Sequence, residues 1–131
     1  MEQPWMDIQN VRPLRPLRVL VAGRDARFGR VAGFLLARHG FEVETSRRPS
    51  EVVEAVSRLG IDVVILDASD SLSDAARTAA TLDALHPHIT AVVVADEPGI
   101  HNDNLQVLPK WTSLETLVLN LEAIHLSRER S

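Results

Sequence analysis

Cysteine does not occur anywhere in the 131 residues, and neither does tyrosine. Without cysteine there is no disulfide framework and no thiol chemistry, which fits an intracellular setting. Lysine occurs once, as Lys110; every other basic side chain apart from histidine is arginine. No apolar run approaches the length of a membrane span. The first residues, including Glu2 and Pro4, lack the basic-then-apolar order of a signal peptide, so a cytoplasmic protein is expected. The net charge of −4 comes with no block of a single sign, which argues against nucleic acid as the main partner. Internal repeats and low-complexity segments are also missing.

What is present is a chain of one-domain length, ordered by alternating apolar periods. Residues 1–17 contain Pro4, Pro13 and Pro16 with no sustained periodicity and read as an N-terminal leader. Residues 18–127 read as the folded domain, and 128–131 as a polar tail. Short aliphatic runs at 18–22, 61–66, 90–95 and 105–108, with an alternating stretch at 41–45, predict five strands. Helical spacing appears at Phe28, Val31, Ala32 and Leu35, closed by Gly40, and at Val52, Val56 and Leu59, opened by Pro49 and stopped by Gly60. A third helix carries Leu72, Ala76, Ala79 and Leu82, with Ser69, Ser71 and Ser73 as candidate caps. A last helix follows the capping-box spacing of Thr112 and Glu115 and sets Leu114, Leu117, Val118 and Leu121 on one face. Residues 96–104 hold Pro98, Gly99 and several Asx residues and read as a loop.

The resulting order, βαβαβαβ(loop)βα, implies an α/β fold with a parallel sheet, helices on both faces and right-handed crossovers. Its centre is the run from Ile61 to Leu66, which ends on Asp67. In such sheets, ligands and chemistry gather beyond the carboxyl ends of the strands.

Two passages make residues 18–126 resemble the receiver domain of two-component response regulators. One is Asp62 to Asp67, where the family's phosphate-accepting aspartate ends the third strand. The other is Leu108 to Leu117, which matches the family's lysine at Lys110 and the helix behind it. The resemblance implies a flavodoxin-like, CheY-like three-layer sandwich of strand order 2-1-3-4-5. It also implies work in a two-component phosphorelay or transcriptional regulatory system, with Asp67 at the phosphoacceptor position. Phosphoryl transfer to a carboxylate needs Mg²⁺ against the phosphoryl oxygens, and the family holds that ion with an acidic pair after the first strand. Here those positions are Gly23 and Arg24, and Asp25 falls one step beyond, where it is expected to turn away with the helix. The family's switch hydroxyl falls at Ala95 and its switch aromatic at Val107, while the fourth helix is expected to be shortened or missing.

A degenerate, phosphorylation-independent pseudo-receiver is therefore expected: no enzyme, no cofactor, no bound Mg²⁺, and protein–protein contact as its means of action. A homodimer is compatible with this pattern. Arg24 has two placements open to it. It either joins Lys110 on Asp67, as a fixed cation where the metal would sit, or swings into solvent and leaves Asp67 to Lys110 alone. A remnant metal set of Asp67, Asp70 and Asp96 is a further alternative.

The start of the chain is also similar to NAD(P)-binding Rossmann domains of the short-chain dehydrogenase/reductase type. Gly23, Ala26 and Gly29 have the spacing of a phosphate-approach turn, and Arg47 with Arg48 follows the second strand. The middle glycine is lost, and the family's catalytic tyrosine has no counterpart. His86, His88 and His101 fit no metal-ligand spacing and read as loop histidines. The three serines lack a placed base and read as caps. Trp111 reads equally as a cover for the pocket, as part of an interface or as partial core.

Overall fold

The computed structural model describes residues 16–96 and 107–110, with three single helical positions at Thr116, Leu119 and Ala123. Strands β1 (Arg18–Ala22), β2 (Glu42–Ser46), β3 (Val63–Asp67), β4 (Thr90–Ala95) and β5 (Val107–Pro109) form a single sheet in the order β2-β1-β3-β4-β5. Every pairing is parallel. Between the strands run helices α1 (Ala26–Arg38), α2 (Val52–Leu59) and α3 (Leu72–Leu85), with a single 3₁₀ turn, Pro49–Glu51, leading into α2. This is the expected flavodoxin-like order 2-1-3-4-5.

The alternation of side chains along the central strands builds two cores. Val19, Val21, Val63 and Ile65 face α1, where Phe28, Ala32 and Leu36 close over them. Leu20, Ala22, Val64 and Leu66 face the other way, under Val52 and Val56 of α2 and Ala79 and Leu82 of α3. Strands covered on both faces must be apolar throughout, which is why β1 and β3 read as unbroken aliphatic runs. Each fully buried Val or Ile contributes about 1.5–3 kcal/mol of burial. The edge strand β2 differs: Glu42 and Glu44 are exposed, and charge on an edge strand discourages pairing with another sheet. On α3 the buried alanines are Ala75 and Ala79, with Ala76 half-buried, a one-residue rotation from the expected face.

Helix ends follow their local chemistry. Asp25 caps α1, Ser71 caps α3 by accepting the Asp74 N–H at 3.1 Å, and Gly60 closes α2 in the left-handed conformation at φ 67°. The expected leader (residues 1–15 of it), Trp111, His101, the last helix's apolar face and the polar tail lie outside the described residues. So does the expected loss of the fourth helix. The β4–β5 connection spans residues 96–106, about the minimum length for a parallel crossover.

Candidate functional site

Parallel register brings the carboxyl ends of the inner strands level. Ala22 pairs with Leu66, Asp67 with Val94 and Ala95 with Pro109. The residues just beyond these ends share one rim. Lys110 is the first residue after β5 and is anchored there by its N–H to the Ala95 carbonyl at 2.9 Å. Its side chain folds inward and is only 2% exposed.

The ammonium meets three oxygens: Asp25 Oδ2 at 2.7 Å, Asp67 Oδ2 at 2.8 Å and Ser69 Oγ at 3.1 Å. An ammonium has three N–H donors, so this is a full complement. It also lies 5.2 Å from the centre of the Phe28 ring, a cation–π distance. Asp67 is almost as enclosed, at 4% exposed; its second oxygen accepts the Ser69 N–H at 3.0 Å. Asp25 is divided between two tasks. Its Oδ1 accepts the Arg27 and Phe28 N–H groups at 3.0 and 3.1 Å, capping α1, and its Oδ2 takes the lysine.

Burial works against a charged Lys110, but the hydrogen bonds and charges of Asp25 and Asp67 outweigh it and hold the ammonium above its usual range. The Lys110 hydrogen bond, followed by the Phe28 N–H, pulls the Asp25 carboxyl below its usual range. Lys110 is thus a fixed cation and no general base, so Ser69 beside it is not an activated nucleophile. Ser71 is a helix cap and His86 pairs with Ser57 Oγ at 3.3 Å, with His88 edge-on to it.

Gly23 is the wall behind Asp67. A Cβ built on it would stand 2.6 Å from Asp67 Cβ, closer than any side chain tolerates. The glycine therefore admits the Asp67 side chain.

Three cavities open on this rim. One of about 230 Å³ lies beside Asp67, with Arg24, Asp70 and Asp74 in its wall. A second of about 180 Å³ lies on the far side of Gly23, between α1 and the end of β2. The third, about 440 Å³, has Ala95, Val107, Asp70 and Asp96 around it. Small side chains at 95 and 107 leave that space open.

The structure decides between the two placements of Arg24 and corrects the expectation for Asp25. Arg24 is exposed, and among the described residues it forms no ion pair with Asp67; the cation on Asp67 is Lys110. A long side chain on a turn gains more from water than from a carboxylate whose oxygen already holds an ammonium. Asp25 does not turn away with its helix. A capping residue keeps an extended backbone, here φ −78° and ψ 96°, so its short side chain stays at the strand ends. The sequence signal was an Asp immediately before the first helical residue. The remnant metal set also fails: among the described residues no three His, Cys, Asp or Glu side chains converge as ligands. Asp67 and Asp25 each present an oxygen to the lysine.

Comparison with solved structures gives the same architecture repeatedly. The signal receiver domain of an HD domain-containing protein from Pseudomonas fluorescens superposes with a TM-score of 0.75, at 16% identity over 88% of this chain and 98% of that one. The chain has the receiver fold. An orphan response regulator of H. pylori matches at TM-score 0.66 and 21% identity, over 86% and 98% of the two chains. An atypical orphan response regulator, described as having a phosphorylation-independent regulatory mechanism, matches at 0.69 and 19%, over 82% and 94%. Neither a protein-family model nor a curated protein matches the sequence. No helix among the described residues of this receiver fold is long and apolar enough to cross a membrane.

Proposed function

We propose that this chain is a receiver-like signalling domain of a two-component or transcriptional regulatory system, and that it works without being phosphorylated. The observation that carries this reading is Lys110 bridging Asp67 and Asp25, with the Lys110 and Asp67 side chains buried and Asp25 at the pocket's edge. In-line attack on a phosphoryl donor needs a free carboxylate oxygen and a metal to spread the charge of the transferred group. Asp67 has one oxygen on the ammonium and the other on the Ser69 N–H. The positions that would hold the metal are glycine and an outward arginine. Ala95 has no hydroxyl to bind a phosphorylated product. The likeness to an orphan regulator with a phosphorylation-independent mechanism supports the same reading.

On this reading the domain is no enzyme and acts in the cytoplasm through contact with a protein partner, or with a second copy of itself. The surface is set by sequence alone and is not switched. The test is to incubate the protein with acetyl phosphate and Mg²⁺ and weigh it. No added phosphoryl mass is expected, and amide signals near Asp67 stay in place when beryllium fluoride is added with Mg²⁺. Magnesium-dependent uptake of phosphate on Asp67 would overturn the proposal.

A further inference from the structure

We propose that the cavity between α1 and the end of β2 binds the phosphate group of a small phosphate monoester through Arg30 and Arg47. Two separate elements bring these exposed residues to the lining of one cavity: Arg30 lies in the second turn of α1, and Arg47 is the first residue past β2. Among the described residues neither has a carboxylate partner, whereas Arg18, Arg48, Arg58 and Arg77 each pair with one. Two carboxylates do line the same cavity, Asp25 and Asp67, and an anion would ordinarily avoid them. Both are already bound to the Lys110 ammonium, which offsets one of their two charges, so the two guanidiniums leave the cavity one positive charge in excess.

The shape of the cavity suits a phosphate head. Gly29 contributes no side chain, and Phe28 and Val21 supply an apolar floor. Charge interactions strengthen over such a floor because water is displaced. A guanidinium presents parallel N–H donors that match phosphate oxygens two at a time. At about 180 Å³ the space is below the roughly 300 Å³ at which pockets begin to enclose a whole ligand. The phosphate enters, and the rest of the molecule stays outside. The site is proposed on Arg30 and Arg47 and not on acceptance of phosphate by Asp67, although Asp67 stands in the same lining. It shares Asp25 and Asp67 with the ion triad, so an occupant is felt there.

The experiment is a titration of the ¹⁵N-labelled protein with inorganic phosphate against chloride at constant ionic strength. Saturable shifts are expected at Gly29, Arg30, Thr45 and Arg47. Arg30→Ala and Arg47→Ala should each weaken binding by about tenfold or more, the scale of losing a charged hydrogen bond. Arg58→Ala, on the outer side of α2, should leave it unchanged. Glycerol 3-phosphate and adenosine 2′-monophosphate as further probes distinguish a metabolite from a nucleotide as the source, and tighter binding of either supports the site. Non-saturating shifts spread over all arginines would overturn it. So would a response lost in Arg24→Ala but kept in Arg30→Ala and Arg47→Ala, because the anion would then sit beside Asp67.

Discussion

At the scale of single residues, Lys110 is the side chain on which most depends. It reaches two carboxylates, and the Asp67 side chain it holds is 4% exposed. Lys110→Met keeps the volume and removes the charge, leaving Asp67 buried without its partner. A loss of about 3 kcal/mol is expected, read as a lower urea midpoint. Gly23→Ala should cost about 1–3 kcal/mol by overpacking against Asp67 Cβ, and should loosen the Asp67–Lys110 pair as the carboxylate is pushed aside. The same triad sets the pH profile. Asp25 titrates below its ordinary 3.8 in the folded protein, so its contribution is present above that value and is lost as pH falls through the lowered one. Lys110 titrates above 10.5, so its contribution is present below 10.5 and is lost as pH rises through the raised value. Denaturation midpoints should therefore be level through neutral pH and decline at both extremes. Asp25→Asn should flatten part of the acid decline.

At the scale of elements, α1 is the piece whose details decide the site. Its first turn is capped by the carboxylate that also receives Lys110, so helix and pocket are fastened by one side chain. Asp25→Ser keeps a capping oxygen and removes the charge, while Asp25→Ala removes both. The difference between them should be about 1 kcal/mol, the worth of the cap, and the loss common to both belongs to the ion pair. Further along, Gly33 sits in the helix with room for a methyl group: its Cβ would meet Val43 Cγ1 at 3.7 Å, an ordinary contact. Gly33→Ala should raise stability by about 0.5–1 kcal/mol, seen as a higher melting temperature, because the unfolded chain loses freedom and no clash arises. Strand and helix positions were readable from the spacing of apolar residues; β1 and β4 fall where their aliphatic runs lie. The limits of β2, β3 and α3's buried face were shifted by a residue or two, because the register with neighbouring strands, and not propensity, sets where pairing stops.

At the scale of the whole molecule, five parallel strands bring Asp25, Asp67 and Lys110 to one rim, although Lys110 and Asp25 are 85 residues apart in the chain. Such a rim is where this class of fold places its chemistry. In this protein the rim is occupied by the ion triad of Lys110 with Asp25 and Asp67. Amide exchange should accordingly be slowest in β1, β3 and β4, and should not change when Mg²⁺ is added; faster exchange on adding the ion would argue for a metal that competes with the lysine. The sequence by itself determined the alternation of strands and helices and the place of Asp67 at the end of a buried strand, because apolar periodicity leaves few alternatives; the strand order and the nearness of Lys110 to Asp67 came from the resemblance to receiver domains. Only the tertiary structure decided that Asp25 and not Arg24 completes the triad. Which way a side chain leaves a turn depends on the cap geometry of the helix behind it and on which charges are already satisfied, and neither is written in residue spacing.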